Sequence, residues 1–122
     1  MCLVIYNKNC HIAEEDIHCY KVLIKNYSNQ LITPYVGEIV DITKGQSVDE
    51  LKNLSEFTSR SYCIDKGAIH SFRQFRFAKE LFDKRDNSII YETIIPAGSK
   101  YYASDFEYAS QELKYIKEYV FI

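Results

Sequence analysis

Three groups of residues in this chain have types and spacings that could do chemistry. The first is a carboxylate, Glu92, inside the segment Ser88-Ile89-Ile90-Tyr91-Glu92-Thr93-Ile94-Ile95. Period-two alternation sends Ile90, Glu92 and Ile94 to one face of a strand and Ile89, Tyr91, Thr93 and Ile95 to the other. A carboxylate between two isoleucines is either poorly solvated and kept for a reaction, or a charge that stops a strand edge from sticking. The second group is Cys10-His11 followed by His18-Cys19, two Cys and two His within ten residues. Zinc needs four ligands converging on one point. If Asp16 to Ile24 is a strand, His18 and Cys19 face opposite ways, so no metal site is expected. The third group is basic. Lys66 to Arg85 holds six Lys/Arg against Glu80 and Asp83, a local excess of +4 in a chain of net charge −2. Such asymmetry marks a patch suited to an acidic partner, although Glu80 lies four residues from both Arg76 and Lys84 and can pair with them along a helix.

The elements that would position these residues read as alternating strands with two signed helices. Cys2 to Tyr6 is a first strand. A polar connection, Asn7 to Glu15, leads to a second strand, Asp16 to Ile24, with Cys19, Lys21 and Leu23 opposing His18, Tyr20, Val22 and Ile24. Asn26 to Asn29 is a turn, and Gln30 to Thr33 a short strand stopped by Pro34. Gly37 to Ile42 is a further strand, followed by a Lys44-Gly45 turn. Ser47-Val48-Asp49-Glu50 has the capping-box pattern and predicts a helix over Val48 to Thr58. Ser71-Phe72-Arg73-Gln74 is a second such pattern, opening a helix from Phe72 to Asp83 with Phe75, Ala78, Leu81 and Phe82 as its apolar stripe. A strand is read before this helix, and the Glu92 strand follows it. Pro96-Ala97-Gly98-Ser99 is a turn, Lys100 to Ala103 a short strand, and Leu113 to Ile122 a strand by its Tyr, Val, Phe and Ile content, although its spacing also permits a helical stripe.

Composition bounds the class. A chain of 122 residues with 47% apolar and 26% charged content can bury one core without disulfides or metals, so one domain over residues 1–122 is expected. The 11 Tyr and 7 Phe suit strands, a ring-filled core and contact surfaces. The negative net charge argues against direct sequence-specific DNA binding. No CxxC pair occurs among the four Cys, so reduced thiols are expected. No basic leader precedes the first strand and no apolar run is long enough to span a membrane, which predicts a soluble, cytoplasmic protein. No Gly-rich phosphate loop or Ser-His-Asp signature is present, and no cofactor is implied.

Two resemblances add to this. Met1-Cys2-Leu3-Val4-Ile5-Tyr6, Cys19-Tyr20-Lys21-Val22-Leu23, Thr33-Pro34-Tyr35, Gly67-Ala68-Ile69-His70-Ser71-Phe72, Ile95-Pro96-Ala97-Gly98-Ser99-Lys100-Tyr101-Tyr102 and Tyr108-Ala109-Ser110 resemble a family of small uncharacterised proteins of phages, mobile elements and gut-type bacteria. The resemblance implies a setting in which small accessory proteins bind and disable host proteins, defence nucleases included. Separately, Glu92-Thr93-Ile94-Ile95-Pro96 resembles the catalytic-glutamate strand of ADP-ribosyltransferases. That likeness implies a carboxylate at Glu92 stabilising an oxocarbenium on NAD, with Ser71 and His18 as its companions. Ile90 stands where many such enzymes carry a second Glu or Gln, and no Arg lies on an early strand.

Together these readings predict an α+β domain, a mixed or antiparallel sheet of about five to seven strands with one or two helices packed on it. The expected role is non-catalytic: binding a host protein or protein–nucleic-acid complex. Arg73, Arg76, Tyr101, Tyr102 and Tyr108 are the expected contact surface, because Arg and aromatics most often supply interface hot spots. The alternative is an NAD-using transferase built on Glu92, His18 and Ser71.

Overall fold

Strands dominate the observed architecture. The computed structural model describes residues 3–5, 9–51, 54–64 and 67–121. Among them, twelve strands and a single ten-residue helix form two antiparallel sheets. The expected α+β fold is thereby corrected to a mainly β one, with a single short helix among the described residues and more strands than the five to seven foreseen.

The spine is a hairpin-like pair of long strands, β3 (Ile17–Lys25) and β9 (Ser88–Ile95), in register from Ile17 opposite Ile95 to Ile24 opposite Ser88. Both alternate as the sequence indicates. Tyr20, Val22, Ile90 and Glu92 share one face, while Cys19, Lys21, Leu23, Tyr91 and Thr93 share the other. On one side β9 is followed by β12 (Glu112–Glu118), which bulges between Tyr115 and Lys117, and then by the short β5 (Gln46–Ser47). On the other side β3 is followed by β8 (Ile69–Phe72), β11 (Glu107–Ser110), β10 (Lys100–Ala103) and β2 (His11–Ile12), with β4 (Leu31–Ile32) pairing the far end of β3. A three-stranded sheet, β1 (Leu3–Ile5), β7 (Ser61–Ile64) and β6 (Ser55–Thr58), covers β10 and β11 through a core of Leu3, Ile5, Ile64, Tyr102 and Ala109.

The helix α1 (Phe75–Lys84) lies on the Val22–Ile90 face, where fully buried Ala78 lets it approach Val22, Phe72 and Ile90. Phe75, Leu81 and Phe82 flank that contact and are only partly buried. Beyond β12 the chain turns back over the helix, setting Tyr119 at 4.5 Å from Phe75 and Phe121 at 4.9 Å from Phe82. The opposite face is covered by the segment from β4 to β5, which places Val40 against Leu23 and Tyr91, with Leu31, Ile42 and Tyr115 around them.

Both capping-box readings are corrected. Ser47 belongs to β5, and no helix forms among the described residues of Val48 to Thr58; Ser55–Thr58 pairs with β7 instead, closed by Thr58 Oγ1 and Ser61 Oγ at 2.6 Å. Leu51 and Leu54 still serve the core, packed against the cluster of the small sheet. Ser71 and Phe72 complete β8, so α1 starts three residues later than expected, after Gln74, whose side chain caps nothing. Backbone pairing of Ser71 with Tyr108 outweighs the few tenths to one kcal/mol, roughly, that a capping serine would give there. Gly37 to Ile42 is not a strand either; it forms an isolated bridge, Ile32 with Ile39, and packs Val40 onto the sheet. The Asn26 turn is as expected, Asn26 Oδ1 accepting hydrogen bonds from the amides of Ser28 and Gln30 at 3.0 and 2.9 Å. The final strand is also present and stops at Glu118. Cys2, Tyr6 and Ile122 lie outside the described residues. No helix among the described residues is long and apolar enough to cross a membrane.

Candidate functional site

The transferase constellation is divided by the sheet. Glu92 stands opposite Tyr20 and Lys117, and its carboxylate, 33% exposed, lies 3.4 Å from Lys117 Nζ. This is a cross-strand ion pair at the rim, worth at most about 1 kcal/mol. His18 is exposed on the same face. Ser71 is not: Phe72 pairs with Tyr20 on the helix face, so Ser71 points to the other side, buried near Cys19. Burial pushes the Cys19 thiol up, Thr93 Oγ1 at 3.2 Å pulls it back, and the Ser71 hydroxyl faces the same sulfur without a hydrogen bond of ordinary geometry. A serine and a glutamate on opposite faces of one sheet cannot meet the same ribose. Cys10, Cys19 and Cys63 are free thiols, and no group of three metal-ligating side chains forms among the described residues.

The expected contact surface is brought together in large part. Strand pairing sets Arg73, Tyr108, Tyr101 and His11 on one face of the β8–β11–β10–β2 edge. The Arg73 guanidinium lies 5.2 Å from the Tyr108 ring, Tyr108 meets Tyr101 edge-on at 5.7 Å, and Tyr101 lies 5.3 Å from His11. Arg73 Nη1 also donates to Ser104 O at 2.7 Å, which holds the guanidinium in place. Arg76 belongs to a separate group on the helix side: it lies 4.7 Å from the Phe77 ring, which meets 56%-exposed Phe106 at 4.9 Å. Tyr102 is a correction. Alternation turns it to the opposite face, where it is 7% exposed in the core of the small sheet.

A second feature of chemical interest lies on the loop face. β8 is tied to β3 by the single residue pair Tyr20 and Phe72, and β4 takes up the same edge of β3 only at Ile24 and Lys25. Between them the edge opens into a crevice of about 800 Å³, walled by β3, β8, the Gly67-Ala68 approach and the 33–48 segment. Lys21 is among the residues lining it, 8% exposed, donating from Nζ to His70 O at 2.6 Å. Burial pulls the Lys21 ammonium down to about 8, against the opposing pull of Cys19, Glu107 and Glu38. Burial likewise pushes the Glu107 carboxyl up to about 7. The rule that singles out Glu92, a charge between apolar neighbours on one strand face, applies better to Lys21 between Cys19 and Leu23. Glu92 finds a partner and solvent at the rim, whereas Lys21 is enclosed.

The crevice wall is held by specific contacts. Arg85 Nη2 donates to Pro34 O at 2.9 Å, and Tyr115 Oη donates to Gln46 Oε1 at 2.5 Å across β12. Asp41 accepts from the Thr43 amide and hydroxyl and shapes the turn into Gly45, whose φ is +73°. A Cβ there would sit 2.6 Å from Leu113 O. Gly45→Ala should therefore cost about 1–3 kcal/mol by left-handed strain and a backbone clash, read as a lower denaturation midpoint. An unchanged midpoint would mean that the turn adapts.

Comparison with protein-family models, curated proteins and solved structures finds no match to the chain.

Proposed function

We propose that this chain is a non-catalytic binding protein, of phage or mobile-element origin, that captures a host protein presenting an acidic surface. The partner stands free or within a protein–nucleic-acid complex, and inhibition of a defence nuclease is the form this takes in the setting that the family resemblance implies. The reading rests on one observation above all: Arg73, Tyr108, Tyr101 and His11 form a run of ring and guanidinium contacts along one edge, with a second, shorter group, Arg76, Phe77 and Phe106, on the helix side. Rings and guanidinium groups already ordered by one another lose little side-chain entropy on binding. Arg73 and Arg76 are two of the six basic residues between Lys66 and Arg85, a local excess that steers an acidic partner at low salt.

The test is capture from host lysate by wild type and by the double charge reversal Arg73→Glu and Arg76→Glu, with the captured protein then purified and titrated. Affinity should fall by about 30-fold or more if the two arginines include a hot spot of roughly 2 kcal/mol. The remaining binding should depend less on salt. Glu92→Gln should leave capture unchanged. Equal affinity of the reversed variant, with its fold intact by circular dichroism, would sink the reading. Capture abolished by nuclease treatment of the lysate would assign recognition to nucleic acid instead.

A further inference from the structure

We propose that the crevice between β3, β8 and the 33–48 segment is a binding site for a small organic anion. In this arrangement the acid group sits on Lys21 Nζ and an apolar body lies along Val36, Ile39 and Phe72. The site is separate from the Arg73 edge and stands whether or not that edge binds a protein.

Lys21 has no carboxylate in direct contact, although Glu107 and Glu38 act on it from further away. An ammonium has three donors, and the hydrogen bond of Lys21 Nζ goes to one neutral carbonyl, His70 O. Among the described residues, the ion pairs are Lys79 with Asp83 and Lys117 with Glu92; neither includes Lys21. A buried charge without a carboxylate in contact is costly, and an aliphatic residue at this position of an apolar face would fold better. The feature that distinguishes Lys21 from an ordinary core position is that it lines an open cavity.

Size and lining then indicate the ligand. About 800 Å³ lies within the range of sites for drug-sized molecules, well above what a bare inorganic anion fills. The walls combine the apolar surfaces of Val36, Ile39 and Phe72 with a second cation, Lys44, against one carboxylate, Glu38. An apolar body bearing one acid group fits this distribution. Carboxylates and phosphate or sulfonate esters share the chemistry, and the Lys21 ammonium accepts any of them as a point charge.

The test uses 1-anilinonaphthalene-8-sulfonate as a fluorescent probe of the wild-type protein, displaced in parallel by 3-phenylpropionate, phenyl phosphate and the neutral 3-phenylpropanol. Saturable one-to-one binding is expected, and at least one of the two acids should displace the probe about tenfold or more better than the alcohol, the usual size of one charge-assisted hydrogen bond. Which acid is stronger distinguishes a carboxylate ligand from a phosphate ester. Lys21→Met should remove the preference for acid over alcohol while leaving displacement by the alcohol in place. Carbon-13 labelling at Lys21 Cε gives a second reading in the wild type, with a shift on addition of the bound acid and none with the alcohol. Equal displacement by acids and alcohol, a preference that survives Lys21→Met, or a Lys21 signal that ignores the acid would each overturn the proposal.

Discussion

Ile90→Ala is expected to destabilise the fold by about 2–5 kcal/mol, the largest loss from any single truncation on the helix side of the sheet. Ile90 is 0% exposed, pairs with Val22 in the centre of the sheet and lies under Ala78 of α1. Its removal leaves a cavity between strand and helix that neither can collapse to fill, because β9 is held on both sides by β3 and β12. In a domain whose whole stability is on the order of 5–15 kcal/mol, such a loss brings the transition near room temperature. Phe82→Ala should cost less, although Phe82 is the larger side chain. Its ring is only partly buried and packs on Phe121, itself at the surface, so the neighbours can close over the gap. Chemical denaturation of the two variants checks the order. If Phe82→Ala costs as much as Ile90→Ala, the helix is anchored by its flanks and the core has been placed one layer too deep.

That contrast bears on what could be read from the residues alone. The apolar stripe of α1 is visible in the sequence, and its spacing gives the correct face. Which member of the stripe is deepest is not visible, because depth depends on where the helix crosses the sheet. The crossing sits at the smallest residue, Ala78, where the axes can approach most closely. The long strands β3 and β9 are legible for a similar reason: over eight or nine residues, alternation leaves little freedom of register. The short strands β2, β5 and β11 carry two to four residues each, too few to show a period, and exist because a neighbour offers unpaired backbone. The two capping-box patterns fail through the same competition. A local match worth a few tenths to one kcal/mol, roughly, yields to a ladder of backbone hydrogen bonds and a buried face.

The candidate sites divide along the same line. Arg73, Tyr101 and Tyr108 are recognisable by residue type, and strand pairing then brings them into contact, although they lie up to 35 residues apart in sequence. Tyr102 is misassigned because adjacent residues of a strand face opposite ways, and nothing in Tyr101-Tyr102 tells which ring is inside. Glu92 draws attention because isoleucines flank it, yet its surroundings are completed by Lys117 from a strand 25 positions further on. Lys21 has the same flanking signal and no such rescue.

Removing the charge at Lys21 is therefore expected to stabilise the protein at neutral pH. In the fold the ammonium loses its proton at about 8, against 10.5 for an unperturbed lysine. Below about pH 8 the folded chain must carry a charged group that burial disfavours, at a cost on the order of 3 kcal/mol by linkage. Between about 8 and 10.5 the folded lysine is neutral while the unfolded one is still charged, so the cost fades, and above 10.5 it is gone. The carboxylates whose charge reaches the ammonium, Glu107 and Glu38, reduce this cost without abolishing it, and the Cys19 thiol adds to them only once it ionises. Lys21→Met keeps the length and removes the charge, but it leaves His70 O without its donor, a loss of roughly 1–3 kcal/mol if water does not replace it. The net at pH 7 should be a gain of up to about 2 kcal/mol, seen as a higher midpoint in urea. That gain should shrink through the window between about 8 and 10.5 and become a loss above it, when only the missing hydrogen bond remains. Groups remote from Lys21 titrate in both proteins alike; Glu107 feels the Lys21 charge but titrates at about 7, below this window, so the difference between the two pH profiles above about 8 reports chiefly on Lys21 and its neighbour Cys19. A Met variant less stable than wild type at pH 7, or a difference that stays flat to pH 10.5, would mean that the ammonium is solvated through the open crevice and carries no such penalty.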